Sequence, residues 1–338
     1  MAFDKLIDSA ALENGLTAIA DAIREKTSKA EKLLFPDGFV AAIRAITGST
    51  EMHKITFSST GPFTIATFNG KKNWDGALYY STDEEMWIEW DGVSTISSGE
   101  DNVLHMRGVG NSIITTDSNT DDNSGAWVIT GENVRCDGNI ECLLDYKTVA
   151  RGEHPAMKSY CFNRMFYGCT ALVKGPELGA VELSTNCYRS FFNKCSNLTV
   201  APELPATKVA DYCYYYMFAY TAVTNLPALY ATKLEGYCYG NMFRSCKSIK
   251  LSKTKTDEYN KEYRIPWVGE GTTATKALDS MFYDTGGSHT SAPSINTVYY
   301  TANEIVGVKE ESAGKLLSAD GYVLTDKDGN YLITKEDD

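Results

Sequence analysis

The sequence predicts a mixed α+β chain, with an N-terminal helical segment, a small antiparallel β-sandwich, a repeat solenoid and a C-terminal β-hairpin. Three observations lead there. Between Ser159 and Leu251 one phrase is written four times: Tyr160-Cys161-Phe162-Asn163-Arg164-Met165-Phe166, Asn186-Cys187-Tyr188-Arg189-Ser190-Phe191-Phe192, Tyr212-Cys213-Tyr214-Tyr215-Tyr216-Met217-Phe218 and Tyr237-Cys238-Tyr239-Gly240-Asn241-Met242-Phe243. Its period of 26, 26 and then 25 residues lies in the range where stacked units cover one another's apolar faces. Residues 9–47 place apolar side chains at helical spacing, whereas from His53 to Thr130 the apolar pattern has period two and is cut by Gly, Asn, Asp and Ser clusters. The resulting division is 1–50, a helical attachment or oligomerisation segment; 51–135, a β-sandwich spacer; 136–300, the repeats with a junction cap and an insertion at 253–263; and 301–338, a C-terminal cap or hairpin.

A chain of 338 residues can bury a sizeable core. No apolar run approaches the ~18 residues that would span a bilayer, so membrane insertion is not expected. The start, Met1-Ala2-Phe3-Asp4-Lys5-Leu6-Ile7-Asp8, lacks a basic region followed by an apolar core. Synthesis in the cytoplasm without a secretory signal is therefore expected, with any exit by another route, such as a particle released by lysis. The net charge of −12 argues against nucleic acid, whose backbone is bound through Lys and Arg. It would also repel an anionic wall polymer, leaving neutral glycan or protein as the easier target.

In the first segment Ser9 can cap a helix carrying Leu12, Leu16, Ile19, Ala20 and Ile23 on one face. Phe35-Pro36-Asp37-Gly38 breaks the chain before a second short face of Phe39, Val40, Ile43 and Ile46. So narrow a stripe needs a partner, which makes Leu12, Leu16, Ile19, Ile23, Phe39 and Ile43 the candidate oligomerisation and attachment contacts. Strand candidates then follow at Ile55–Phe57, Phe63–Phe68, Ala77–Tyr80, Met86–Trp90, Val103–Met106, Ser112–Ile114 and Trp127–Ile129. Trp87 and Trp90 stand three apart, on opposite faces of a strand, so at most one belongs to the core; the other is a rim aromatic or a sugar-stacking one. Asp117-Ser118-Asn119-Thr120-Asp121-Asp122-Asn123 resembles the start of a calcium loop but lacks its glycine and distal glutamate, and reads as a solvated hairpin loop. Gly138–Leu144 and Arg151–Pro155 form a junction that should cap the repeats; His154, in this polar connection, is assigned no chemical role.

Seven of the nine cysteines occupy repeat positions, Cys161, Cys187, Cys213 and Cys238 in one column and Cys169, Cys195 and Cys246 in another. An odd, columnar set reads as reduced thiols acting as small buried hydrophobes, although disulfides between neighbouring units stay open. Apolar residues at offsets 0, 1, 4 and 5 predict a short helix or helical turn from Cys to Phe in each unit, and the segments at Leu172, Leu198 and Val223 predict short parallel strands. The column Phe166, Phe192, Phe218 and Phe243 should dominate the stability of the stack. A degenerate fifth unit lies at Leu278–Thr285, and Tyr322-Val323-Leu324 with Tyr331-Leu332-Ile333 around Asp328-Gly329 reads as the terminal hairpin.

Catalytic chemistry is not indicated: there is no Ser-His-Asp order, phosphate loop, Cys-x-x-Cys or His-x-x-x-His pair, and no cofactor or metal is implied. Glu177 and Glu203 recur at one repeat position and read as a solvated edge. Slots that change between copies are expected to face water: Asn163, Arg189, Tyr215 and Gly240; Arg164, Ser190, Tyr216 and Asn241; Tyr167, Asn193, Ala219 and Arg244. There Tyr215, Tyr216 and Tyr220, with Arg189 and Arg244, form the candidate ligand-binding patch, the alternative being that tyrosine is merely tolerated.

Two resemblances rest on these residues. Met165-Phe166-Tyr167-Gly168-Cys169-Thr170-Ala171-Leu172 and Ala201-Pro202-Glu203-Leu204-Pro205-Ala206-Thr207 resemble the leucine-rich repeats of BspA-type surface proteins, over about 95 residues, which would make the solenoid leucine-rich-repeat-like. The run Leu16–Lys26 followed by Phe35-Pro36-Asp37-Gly38-Phe39 is similar to the amino-terminal segment of tail-associated structural proteins from phages and prophages of Gram-positive bacteria. The resemblances imply a non-enzymatic virion protein, of tail-fibre or baseplate type, that contacts other tail proteins through its N-terminus and binds a host cell-surface glycan or protein through its repeats. Homo-oligomerisation is expected, as a trimer by analogy with tail fibres. The alternatives are a structural decoration or assembly component of the virion and a surface-glycan depolymerase.

Overall fold

In the computed structural model, residues 53–115 and 125–308 are described. Residues 1–50 with Leu12, Leu16, Ile19, Ile23, Phe39 and Ile43, the Asp117–Asn123 loop and the hairpin at Asp328-Gly329 lie outside the described residues. Ile55 and Phe57 of β1 (Ile55–Ser58) are buried while Thr56 and Ser58 are half-buried, the burial pattern of a strand with one face on a core. Strand β1 runs antiparallel between β6 (Val103–Val109) and β8 (Val134–Asp137), with Phe57 opposite Leu104 on one side and Cys136 on the other. The sheet extends on one flank through β3 (Ala77–Ser81) and β4 (Ile88–Glu89), and on the other to β9 (Leu172–Lys174), which joins β8 in parallel. A second, antiparallel sheet has the order β5 (Ile96–Ser97), β2 (Thr64–Thr67), β7 (Trp127–Thr130). Small sheets follow: β10 (Asn225–Pro227) with β16 (Glu304–Val306) and β11 (Lys233–Leu234) with β14 (Thr272–Thr273), both parallel, and β15 (Tyr299–Thr301) between β12 (Leu251–Ser252) and β13 (Lys261–Tyr263).

The expected strand at Ser112–Ile114 is instead a loop. The Asp75 carboxylate gathers it, accepting from the Ser112 amide (2.8 Å) and hydroxyl (2.6 Å), the Ile113 amide (3.2 Å) and Lys158 Nζ (3.0 Å). Burial works against the charged form, but the Ser112 hydroxyl and amide, Lys158 and the Ile113 amide outweigh it and hold the carboxyl well below the usual carboxylate range. Strands β5 and β8 were not among the sequence candidates. Of the two strand-spaced tryptophans, Trp90 is the core one: it meets Trp127 edge-on at 5.3 Å and donates from Nε1 to Ser94 O. Trp87 lies outside, with the Arg107 guanidinium 3.8 Å from its ring centroid.

The mixed α+β expectation is overturned. The described residues are almost all β and turn, in several small sheets, with one helix, α1 (Cys142–Ala150), and no solenoid. None of the described helices is long and apolar enough to cross a membrane. The Cys-to-Phe phrases, expected to be helical, are runs of consecutive turns. In the first copy Tyr160, Arg164 and Gly168 have left-handed backbones (φ 64, 55 and 74°), and the same fourth-residue rhythm recurs at Asn186, Ser190 and Lys194, at Tyr212, Tyr216 and Tyr220, at Tyr237, Asn241 and Ser245, and at Lys276, Ser280 and Asp284. Alternate amides close the turns within a copy, Asn163 to Tyr160 O at 3.0 Å and Tyr167 to Arg164 O at 3.2 Å. The amides between them donate to the next copy, Phe162 to Cys187 O at 2.9 Å, Arg164 to Arg189 O at 2.8 Å and Phe166 to Phe191 O at 3.0 Å.

A helix would use every interior amide internally; here half of them join the copies. Each left-handed non-glycine residue costs about 1–3 kcal/mol, offset by hydrogen bonds between copies worth about 0.5–1.5 kcal/mol each and by the rings they align. Of the expected parallel strands, the one at Leu172 forms as β9 and the one around Val223 forms two residues on as β10, parallel to β16, while around Leu198 there is a single parallel bridge, Val200 to Lys174.

Two aromatic columns run through the copies. Phe166, Phe192, Phe218, Phe243 and Phe282 stack at 5.5–5.9 Å, the last showing that the degenerate fifth copy joins the pile across the insertion. Phe162, Tyr188, Tyr214 and Tyr239 form the second, at 5.5–5.9 Å. The first copy is covered by backbone of the β region, Ile114 and Thr115 donating to Cys161 O, Ala126 to Arg164 O and Trp127 to Met165 O. Residues 53–307, apart from 116–124, accordingly form one compact unit, with the Phe166 ring in edge contact with both Phe57 and Trp127.

All nine cysteines are free and buried. Burial pushes their thiols up, to about 12 for Cys187 and about 11 for Cys246, so none is a nucleophile at neutral pH. The second column also bonds: Cys195 Sγ donates to Phe166 O and Cys246 Sγ to Phe218 O, both at 2.9 Å. Thr221, which takes the cysteine's place in the third copy, donates instead within its own copy, to Phe218 O at 2.7 Å.

Candidate recognition face

The third copy sets its tyrosines by its turns. Tyr212, Tyr216 and Tyr220 occupy its three left-handed positions, φ 57, 57 and 60°. Consecutive turns bring side chains four apart to one edge of the pile, and the neighbouring copy adds its own a short distance away. Tyr212 stacks on Tyr237 at 4.9 Å, while Tyr215 stands edge-on to Tyr212 at 5.3 Å, to Tyr216 at 4.6 Å and to Tyr237 at 5.8 Å. Gly240 makes room for this cluster, since a Cβ there would lie 3.0 Å from the Tyr215 ring. Cations flank it: the Arg189 guanidinium is 5.7 Å from the Tyr215 centroid and Lys276 Nζ 5.5 Å from that of Tyr237. Partial burial, with Tyr216 beside it, pushes the Tyr215 phenol up to about 12, so it stays a hydrogen-bond donor at neutral pH.

A second cluster lies one turn on. Arg244 has its guanidinium 4.4 Å from the Tyr283 centroid and donates to Asn241 Oδ1 at 3.0 Å. Partial burial disfavours its charge, but a hydrogen bond with Tyr220 and the nearby Tyr216 and Tyr283 phenols raise its pKa on balance. Tyr220 and Tyr283 are the open members, 44 % and 49 % exposed. Of the sequence-derived patch, then, Tyr215, Tyr216 and Arg189 meet in one cluster and Tyr220 and Arg244 in the other. The structure adds Tyr212, Tyr237, Lys276 and Tyr283, all at repeat-equivalent slots and so recognisable by aligning the fifth copy with the first four.

The expectation that changeable slots face water needs correction. Arg164, Ser190, Asn241, Asn193 and Ala219 are buried, and Arg189, Tyr215, Tyr216 and Arg244 half-buried. Side chains of the same copy and of its neighbour cover these slots, as Arg164 and Lys194 lie over Tyr167.

Outside this face, one titratable pair stands out. Glu141, whose side chain is 1 % exposed, accepts from His154 Nδ1 at 2.9 and 3.1 Å and from Asn139 Nδ2 at 3.2 Å. The Glu141 hydrogen bond raises the imidazole's pKa against its partial desolvation. Glu182, itself paired with Lys208, and Ser184 line the same cavity. A folded-state pKa above the unfolded value means that the charged pair stabilises the fold fully below about pH 6.5 and that this is lost as pH rises through the raised pKa. Because the imidazole is nearly half exposed, the effect is at most about 1 kcal/mol. Urea midpoints of the wild type and His154→Gln should therefore differ most at mildly acid pH and converge in alkali; a constant gap would show that the pair does not titrate with folding.

Among the described residues no group of three or more His, Cys, Asp or Glu could hold a metal ion. No protein-family model matches the chain, and neither a curated protein nor a solved structure matches it.

Proposed function

We propose that the chain is a non-enzymatic recognition protein of a phage virion, attached to other tail proteins by its amino-terminal segment and contacting a host cell-surface glycan through the tyrosine-rich edge of its repeats. The observation that carries this is the pairing of two half-exposed tyrosines, Tyr220 and Tyr283, with the Arg244 guanidinium that contacts both and a second tyrosine cluster alongside. Ring faces suit the apolar side of a sugar, while phenols and guanidinium serve its hydroxyls. The net charge of −12 supports a neutral glycan over an anionic polymer. Virion attachment is supported by the likeness of Leu16–Phe39 to phage tail segments, and assembly as a homo-oligomer, a trimer by analogy, would go through Leu12, Leu16, Ile19, Ile23, Phe39 and Ile43.

The test is a pull-down of full-length protein on envelopes of Gram-positive cells, before and after protease and glycosidase treatment. Binding should survive protease, and Arg244→Ala or Tyr220→Asn, chosen because asparagine tolerates the left-handed backbone, should weaken it by at least about tenfold, about 1.4 kcal/mol. Loss of binding after protease would replace glycan by protein as the ligand. Failure on every envelope would favour a structural virion component, and sustained release of reducing sugar would favour a depolymerase.

A further inference from the structure

Beside α1 lies a cavity of about 480 Å3, within the ~300–1,000 Å3 of small-molecule sites. Its apolar lining includes Pro155, Met157, Val181 and Leu183, and its polar lining is Glu141, His154, Glu182 and Ser184. The Glu141 carboxylate is sealed from behind by Gly179, where an added Cβ would come within 2.5 Å of Asn139 Nδ2 and 2.9 Å of Glu141 Oε2. That carboxylate holds Nδ1 of His154, which fixes the ring and leaves Nε2 as its other polar atom. Ser184 Oγ spends its proton on Met157 O at 2.7 Å, so toward the cavity it offers lone pairs. A buried carboxylate orienting a half-exposed imidazole at a cavity is more than the fold requires, because an apolar pair of like volume would fill the space without desolvating a charge.

We propose that this cavity is a binding site for a neutral polyol of monosaccharide size, whose hydroxyls bond Nε2 of His154, Ser184 Oγ and the Glu182 carboxylate while its apolar face lies on Met157 and Val181. The polar lining is mostly acceptor, which calls for a ligand rich in donors. Two carboxylates disfavour an anion. A cationic ligand would have to compete with His154 for Glu141 and with Lys208 for Glu182, whereas hydroxyls leave both pairs intact. The site is independent of the tyrosine-rich edge and does not rest on its reading.

The experiment is titration of the full chain with methyl glucoside, methyl galactoside and N-acetylglucosamine, read on the imidazole carbon-bound proton signal of His154 and by calorimetry, with glucose 6-phosphate as the charged counterpart. At least one neutral sugar should shift the His154 signal saturably. His154→Gln and Val181→Trp, the latter blocking the rim from a side chain already 37 % exposed and so sparing the fold, should each weaken calorimetric binding at least tenfold. Glucose 6-phosphate should bind at least tenfold more weakly than the best neutral sugar, and Val128→Ala, at an exposed residue of β7 that does not line the cavity, should change nothing. No saturable shift with any of the three neutral sugars, binding that survives Val181→Trp, phosphate binding as tight as the neutral, or loss on Val128→Ala would each overturn the proposal.

Discussion

Replacing Phe192 with alanine is expected to destabilise the protein by about 3–5 kcal/mol, the upper range for deleting a large core side chain, and to lower the thermal midpoint by on the order of 10 °C. The ring is fully buried and lies flat between Phe166 at 5.9 Å and Phe218 at 5.8 Å, with Phe191 edge-on at 4.5 Å. It also rests on the backbone of Gly175, where a Cβ would come within 2.4 Å of it. The hole left by Phe192→Ala cannot collapse easily, because the copies on either side are spaced by hydrogen bonds, Phe166 N–H to Phe191 O and Phe192 N–H to Met217 O, both 3.0 Å. Closing the gap would break them. Chemical denaturation of the variant beside Tyr283→Ala, whose half-exposed ring should be worth within about 0.5 kcal/mol, measures the difference. A loss for Phe192→Ala below about 1 kcal/mol would show that the column does not carry the pile.

Gly108→Ala should be comparably severe although it adds a single methyl group. A Cβ at Gly108 would sit 1.6 Å from Leu143 O and 2.7 Å from Asn111 Nδ2. The start of α1 lies against β6 at this point, and the buried Asn111 ties the elements together. Its Nδ2 donates to Ala77 O at 2.8 Å and Leu143 O at 2.9 Å, its Oδ1 accepts from the Gly76 amide at 2.6 Å, and its own amide donates to Leu144 O at 2.9 Å. The methyl group must push α1 away and leave part of this buried amide unpaired. Overpacking of about 1–3 kcal/mol adds to about 1–3 kcal/mol for an unsatisfied buried polar group. Gly61→Ala, with nothing within 4 Å of its Cβ, is the control and should be near neutral. Equal denaturation midpoints for the two variants would falsify this account of the junction.

Much of the repeat region was legible because its constant letters are chemically simple. Cys161, Cys187, Cys213 and Cys238 are buried and free, and the Phe166 column stacks, as burial of small and large hydrophobes in register requires. The local backbone was not legible. Apolar residues at offsets 0, 1, 4 and 5 suit one side of a helix and equally suit consecutive turns that repeat every four residues. Apart from Gly168, the left-handed positions carry residues such as Tyr160, Arg164, Lys194, Tyr212 and Lys276 rather than glycine, so the usual mark of such turns is mostly missing. Short strands such as Ile96–Ser97, with little run length to show a period, escaped for the same reason.

The candidate site divides in the same way. Tyrosine enrichment in the third copy pointed to Tyr215, Tyr216 and Tyr220, but the covering of changeable slots by side chains of a neighbouring copy depends on the spacing of copies, which no single copy contains. His154 could be read only as a histidine before a proline; its carboxylate partner, thirteen residues earlier, reaches it because Gly179 and Asn139 bury Glu141 beside it.

What can be read along the chain is therefore the period, the apolar columns, the reduced thiols and the tyrosine-rich copy, since each follows from which side chains leave water and at what interval. Tertiary structure alone decided that the phrases are turns rather than helices, that half of their amides bond between copies, and that Glu141 and His154 share a cavity. Those outcomes depend on backbone groups and side chains far apart in sequence finding partners in space, and an unpaired buried amide or carboxylate costs more than a local preference can resist.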